Sequence, residues 1–373
     1  MTTLAPADAA RARLGAYAGL ACAGLWVTAF GPALPFFSRD LDVSLGVAGL
    51  VVTGLAAGSI SASAFVSLRL ARADGRRLTA LGLALLAFAP SIPTAVAASV
   101  IIGIGDGLVV AATHSLVAAV SRDPAQGINR LNLCFALGAI AGPFFTGVSL
   151  ESTDDVTAGY LALAAVVALA SAFAWRGPPV RIEHEPSEHL LLRPHVVVMG
   201  ALLFLYVGAE IGLGSWVSAY TERAADAGVL AGAAVTSGYW GALAAGRVVS
   251  GRLLAEHQPR ALLAVMIAGA ILSSAVLALL GDVLAVAFAA AFVTGFAFGP
   301  VWPLAMAIGA RGATPSTMAG LVTAGNSGAL VFPVLQGAVL ASAGPTEGVA
   351  VTPVLCVLML ALVGTRRARG EAG

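Results

Sequence analysis

Apolar residues run through this chain in long blocks, and the blocks set its plan. Twelve of them approach or exceed the roughly 20 residues that a helix needs to cross a bilayer. They fall at 14–36, 45–68, 78–93, 96–120, 129–150, 157–175, 196–220, 229–254, 260–281, 283–308, 316–341 and 346–365. Several abut with almost no loop, and the Pro90-Ser91-Ile92-Pro93 break separates the third from the fourth. One segment is polar, RGPPVRIEHEPSEHLLLRPH, from Arg176 to His195. It reads as a solvated linker over 177–195 that divides the chain into a six-helix half at 1–176 and a second at 196–373. His184, His189 and His195 lie in it, but the run suggests no convergent metal geometry.

Arginine placement tests the count. With the N-terminus inside, the inner segments hold Arg11, Arg13, Arg69, Arg72, Arg76, Arg77, Arg122, Arg130, Arg176, Arg181, Arg193, Arg252, Arg260, Arg311, Arg366, Arg367 and Arg369. The outer loops hold only Arg39 and Arg223, and Arg247 lies within a helix. A miscount by one helix would scramble this segregation. The bias of basic residues toward the inner side therefore predicts an even helix number with both termini cytoplasmic.

Composition agrees with lipid as the solvent. Hydrophobic residues make up 59% of the chain and charged residues 10%, against about 25% charged in a soluble domain. No single aqueous core hides that much apolar surface. Net charge is +1, so the total points to no nucleic-acid partner. Cys22, Cys134 and Cys356 are far apart inside apolar runs and read as small core residues. The N-terminal MTTLAPADAARARLGAYAG has no small-residue cleavage site after it and reads as the start of a first helix. No nucleophile–base set, phosphate loop or metal motif appears, so neither an enzyme nor a bound cofactor is expected.

The two halves also look like repeats. Ser67-Leu68-Arg69-Leu70 ends the second block and Ser250-Gly251-Arg252-Leu253 the eighth, and the same offset pairs Arg77 with Arg260. Parallel repeats about an axis along the membrane normal describe the halves of major facilitator transporters. The loop RLARADGRR resembles the cytoplasmic signature of that superfamily through Asp74, Gly75, Arg76 and Arg77. Leu68 stands at its opening glycine and Arg72 at its usual acidic position, and the copy after the eighth block keeps only Gly251 and Arg252. The resemblance implies an all-α membrane protein of twelve helices in two pseudo-symmetric bundles. It also implies structural or gating pairs among Asp74, Arg76, Arg77 and Arg252.

Finer features resemble the fucose-permease-like branch, whose members are mostly sugar:proton symporters. LNLCFALGAIAGP resembles its fifth helix through Asn132, Phe135, Gly138, Gly142 and Pro143. GIGDGLVVAATHSLVAA resembles the fourth, with His114 where asparagine is usual, and GFAFGPVWP resembles the tenth. YVGAEIGLGSWVSAY resembles the seventh through Glu210, Trp216 and Tyr220. The Gly-Pro pair at Gly142-Pro143 is also an antiporter signature of the superfamily. Its simpler reading is close helix packing and a proline kink.

Charges inside the blocks are the candidates for chemistry. A charge at the bilayer centre costs about 2.5–3.5 kcal/mol on insertion scales, so such groups face a partner or a wet cavity. Glu210 lies roughly 20 Å into its helix at 1.5 Å per residue, near the midplane. Tyr206 is one turn earlier on the same face. Asp106 sits among Gly103, Gly105 and Gly107; His114 follows eight residues on, about 80° round the helix. Glu210, Asp106 and His114 are the proton-coupling candidates. Arg247 is expected in an ion pair with a carboxylate, or against an anionic substrate. Trp26, Asn132, Tyr206, Tyr239, Trp240, Trp302 and Asn326 supply aromatic and amide groups for a binding surface.

The expectation is a monomeric secondary transporter in the inner membrane. It moves a small solute by alternating access, coupled to protons, as sugar-type uptake; the alternative is proton-driven efflux of drugs or metabolites.

Overall fold

The structure, a computed structural model, describes residues 6–65, 75–121, 123–172, 193–309 and 314–365. Every regular element in them is an α-helix. The first half holds α1 (Pro6–Thr28), α2 (Phe30–Asp40), α3 (Leu45–Ala48), α4 (Leu50–Phe65), α5 (Gly75–Ala87), α6 (Ile92–Val120), α7 (Pro124–Thr153) and α8 (Val156–Ala172). The second holds α9 (Pro194–Ala224), α10 (Val229–Glu256), α11 (Pro259–Leu280), α12 (Leu284–Phe298), α13 (Val301–Gly309), α14 (Pro315–Asn326), α15 (Gly328–Ser342) and α16 (Pro345–Gly364).

Four of the predicted spans are broken helices. α1 and α2 bend by 42° at Ala29. Pro32 has no N–H for the Thr28 carbonyl and Pro35 none for that of Gly31, so the ladder fails there. Pro300 and Pro303 interrupt the α12–α13 span in the same way. α3 joins α4 through Gly49, and α14 joins α15 through Ser327. With each broken pair taken as one span, the helices of the described residues make twelve. Among these residues, eight spans are long and apolar enough to cross a membrane by length and composition, and the α1–α2 pair is a ninth. The remaining three are α5, α8 and α10.

Sequence marks the helix ends well. Asp123 caps α7 by accepting from the Gln126 amide, with Pro124 in the first turn. The same helix stops at Asp154, whose φ of 50° ends the run. Thr314 caps α14 from just before Pro315. The third span differs from its expected 78–93: α5 ends at Ala87, because Ser91, bonded to Thr94, already starts α6. α9 starts at Pro194, so His195 belongs to a helix and not to the linker. Residues 177–192 of that linker lie outside the described residues, and Arg193 is the N-cap of α9.

Outward faces carry bare apolar side chains. Leu272 and Leu279 of α11, Phe88 after α5 and Leu169 of α8 are all more than half exposed. In water such a coat would be a liability; in lipid it is solvated. The chain is a multi-pass membrane protein.

One buried cluster gathers mainly residues of α1–α8 and another mainly those of α9–α16. Contacts between the halves concentrate at the end that carries the loops at 41–44, 154–155, 225–228 and 343–344. Small residues make this seam. A methyl added at Gly31 would come within 2.8 Å of the Gly214 carbonyl oxygen, and one at Gly46 within 2.9 Å of Ala338. The Thr53 hydroxyl donates to the Leu330 carbonyl at 2.9 Å. Trp216, Ala219 and Leu340 belong to the second half but pack into the core of the first. Toward the other end of α10, Arg247 and Val248 are exposed, and Val248 lies on the face that meets α7 through Gly241 and Ile140.

Candidate functional site

Two buried carboxylates lie mid-helix, one in each half, and each ties its neighbours together. In the second half, Glu210 of α9 takes a hydrogen bond from Arg247 of α10, Nη2 to Oε1, at 2.8 Å. The partners differ in environment: the Glu210 side chain is 7% exposed and that of Arg247 41%. A lone buried carboxylate is costly, and an ion pair with a charge-assisted hydrogen bond offsets that cost. Two tyrosines brace the pair. The Tyr239 hydroxyl donates to the Glu210 backbone carbonyl at 2.9 Å, and the Tyr206 hydroxyl to the Phe298 carbonyl at 3.0 Å. The Tyr206 ring meets Phe298 edge-on and lies 6.4 Å from Trp302, so the cluster joins α9, α10, α12 and α13.

In the first half, Asp106 of α6 accepts from the Trp26 indole N–H of α1 and from the Ser59 hydroxyl of α4, each at 3.2 Å. The flanking glycines explain the close approach. A methyl at Gly107 would fall 2.7 Å from the Ser59 carbonyl oxygen, and one at Gly103 would lie on that of Leu55. Only glycine lets α4 and α6 come together there, and that brings Ser59 within reach of the carboxylate. The partners here are neutral donors, whereas Glu210 has a cation. His114 stands apart: its Nδ1 pairs with the Val110 carbonyl of its own helix at 2.8 Å. That fits the angular offset expected from sequence.

Most of the aromatic candidates are buried. Trp26, Tyr206 and Tyr239 are fully buried and Trp240 nearly so. In this conformation their rings lie between helices. The polar handles of Trp26, Tyr206 and Tyr239 bond inward, to a carboxylate or a carbonyl, while the Trp240 ring packs edge-on against Tyr239. Trp302 and Asn326 are half-buried, and Asn132 is exposed. Trp302 lies close to α14, since a methyl at Gly325 would meet its ring at 2.8 Å.

Gly138 and Gly142 sit at a backbone contact. A methyl at Gly138 would lie on the Ala21 carbonyl oxygen and one at Gly142 on that of Leu25, both in α1. The Thr28 hydroxyl crosses to the Ala139 carbonyl at 3.0 Å. Pro143 follows within the unbroken α7.

Of the loop candidates, Asp74 lies outside the described residues, as does the side chain of Arg252. Arg76 and Arg77 open α5, and the Arg76 guanidinium reaches α1 at Gly19. Arg260, the repeat partner of Arg77, donates to the carbonyls of Val363 and Thr365 at the end of α16. Sequence reading missed Ser59, a small polar residue in an apolar run. The only signal for it was its place one helix away from a buried acid.

The sequence profile of the Major Facilitator Superfamily matches residues 16–333. Among curated proteins, Bypass of stop codon protein 6 of Saccharomyces cerevisiae is 27% identical over 191 residues, 46% of this chain. The match spans 37% of that relative's own length. Among solved structures, a mutant of the nucleoside transporter NupG superposes with a TM-score of 0.77 at 12% identity. The superposition covers 95% of this chain and 98% of that one. At that identity the likeness is one of fold.

Proposed function

The chain belongs to the major facilitator superfamily, and on that premise we propose that it is a proton-coupled carrier of a small polar solute working by alternating access. The observation that carries the proposal is the Glu210–Arg247 pair, a buried carboxylate in the middle of α9 bonded to an arginine of α10 whose side chain is 41% exposed. Protonation of Glu210 removes the charge that holds Arg247, so the proton and the pair are linked. A conformational change that alters hydration around the carboxyl is then linked to the same proton. Asp106, held by neutral donors, is a second proton site in the first half. The motif resemblance in α6, α7, α9 and the α12–α13 span favours sugar-type uptake over efflux. The backbone contact of Gly138 and Gly142 with α1 gives the Gly-Pro pair a packing role that needs no antiport. The transport units are the six-helix halves, the first ending at 176 and the second starting with α9 at Pro194, joined by a cytoplasmic linker between them, in the inner membrane with both termini inside.

Proteoliposomes with an imposed pH gradient test this. Accumulation of a member of a sugar and nucleoside panel, collapsed by a protonophore, is the expected result. Gradient-dependent exclusion of a dye, with no sugar or nucleoside uptake, would replace uptake by efflux.

Two further outcomes are expected. Reporter fusions at Asp154 and Glu347 read outside and a fusion at Arg181 reads inside; a reversed reading at any of the three overturns the topology. Asp106→Asn folds normally, because amide and carboxyl share a shape: the amide oxygen accepts from the Trp26 indole and the Ser59 hydroxyl turns to accept from the amide NH2, but it transports poorly under a gradient. Wild-type accumulation in that variant would remove Asp106 from coupling.

A further inference from the structure

Among the described residues, four buried side-chain polar atoms have no hydrogen-bond partner, and two of them lie one turn apart on α10: the Ser237 hydroxyl and the Trp240 indole nitrogen. Both residues are more than nine-tenths buried. Folded interiors leave few such groups, because an unmade bond in a dry place costs the full desolvation of the donor. The Trp240 ring lies against Gly214, one turn beyond Glu210 on α9. The Trp240 ring therefore lies about one turn from Glu210, on the sealed side of the ion pair, and Ser237 lies one turn further along α10.

Arg247 lies seven residues after Trp240. Seven residues is nearly two turns, so the two share a face of α10 about 10 Å apart along its axis. Helical side chains lean toward the N-terminus, which carries the guanidinium toward Trp240 and shortens the gap. Glu210 engages Arg247 through one nitrogen of a group with five N–H donors, and 41% of the arginine side chain stays open. A guanidinium edge fits a carboxylate with two parallel bonds, which the single contact to Glu210 does not use. The half-buried Trp302 ring stands near Tyr206 beside the pair.

We propose that the transported solute is a small hydroxylated monocarboxylate of the sugar-acid kind. Its carboxylate takes Arg247 in place of Glu210, and its uncharged end is held by the Trp240 indole N–H and the Ser237 hydroxyl. The inference rests on the carrier reading given above. It assigns the orphaned donors a partner whose length, about six carbons, is of the order of the axial spacing between Arg247 and Trp240. Charge selects the monoanion: a phosphate ester would bring two charges to one cation beside a carboxylate. The exchange is balanced. Arg247 leaves one carboxylate for another, and Glu210, without its cation, takes up the proton.

The test uses the full chain in nanodiscs and reads ligand protection against thermal unfolding. The probes are matched pairs: gluconate with glucitol, glucuronate with glucose, and lactate with propane-1,2-diol. At least one anion is expected to raise the midpoint while its neutral mate does not. Arg247→Gln should weaken that binding roughly tenfold or more, and Trp240→Phe or Ser237→Ala by about threefold to tenfold each. Glu210→Gln, which removes the internal competitor, should tighten it. That gain is the diagnostic result, since loss of a merely structural group would not improve binding. Neutral mates that protect as well as the anions, no protection by any anion, or an anion that Arg247→Gln binds unchanged would each overturn the proposal. A neutral solute that still accumulates under the pH gradient would leave the carrier reading standing; uptake of neither class would count against both.

Discussion

Glu210→Gln is expected to abolish gradient-driven accumulation while leaving binding and exchange measurable. The amide keeps the size of the carboxyl and an oxygen for Arg247, so the α9–α10 contact survives without its charge. The arginine left behind is not stranded in a dry place, because 41% of its side chain is open. What is lost is the capacity to bind and release a proton. A one-unit pH gradient coupled one-to-one supports about tenfold accumulation, the tenfold step that corresponds to 1.4 kcal/mol. In the variant the internal and external concentrations should become equal. Counterflow of labelled solute, which needs no proton, should continue. A variant that still concentrates solute like the wild type would make Glu210 a packing residue.

Gly138→Leu is expected to prevent assembly of the first half. Its Cβ would fall on the Ala21 carbonyl oxygen of α1, and that oxygen belongs to backbone, which cannot swing aside as a flexible side chain does. Gly24 and Gly142 make the same kind of contact one turn away on either side. Overpacking costs typically 1–3 kcal/mol when side chains can yield, and here the two helices must separate. The expected result is loss of monodisperse protein in detergent. Even Gly138→Ala should lower the thermal midpoint. Gly251→Ala in α10 is the control: a methyl there meets nothing within 4 Å, so it should be neutral or slightly stabilising. A Gly138→Leu protein with a wild-type midpoint would mean that α1 and α7 do not touch in this way.

The long apolar blocks and the segregated arginines made the twelve spans legible, because hydrophobic length is written residue by residue. The breaks within spans were not. Ala29 and Ser327 interrupt helices that remain apolar on both sides, and hydropathy is blind to a backbone hydrogen bond that fails. The prolines at 32, 35, 300 and 303 carried that signal at two of the four breaks; Gly49 and Ser327 carried none. For the site, sequence marked Glu210, Arg247 and Asp106 as groups that needed partners but did not pair them. Glu210 and Arg247 are 37 residues apart on different helices, and helix rotation decides whether they meet. The partner of Trp26 was hidden for the same reason: an indole reads as a ring that a solute stacks on, and nothing local shows that its N–H meets an acid 80 residues away.

The seam of small residues between the halves also fixes where the membrane voltage falls. Water filling the opening on one side brings the bulk potential of that side up to Arg247. Almost the whole drop then lies across the thin dry layer formed by Gly31, Gly46, Thr53 and their partners. A charge that changes sides crosses the full field, at about 2.3 kcal/mol per elementary charge for each 100 mV. The empty pair of Glu210 and Arg247 has no net charge. With a monoanion on Arg247 and a proton on Glu210 the site has none either. Loaded and empty carriers would both turn over without electrical work, so the exchange would run at the same rate in a polarised and a depolarised vesicle.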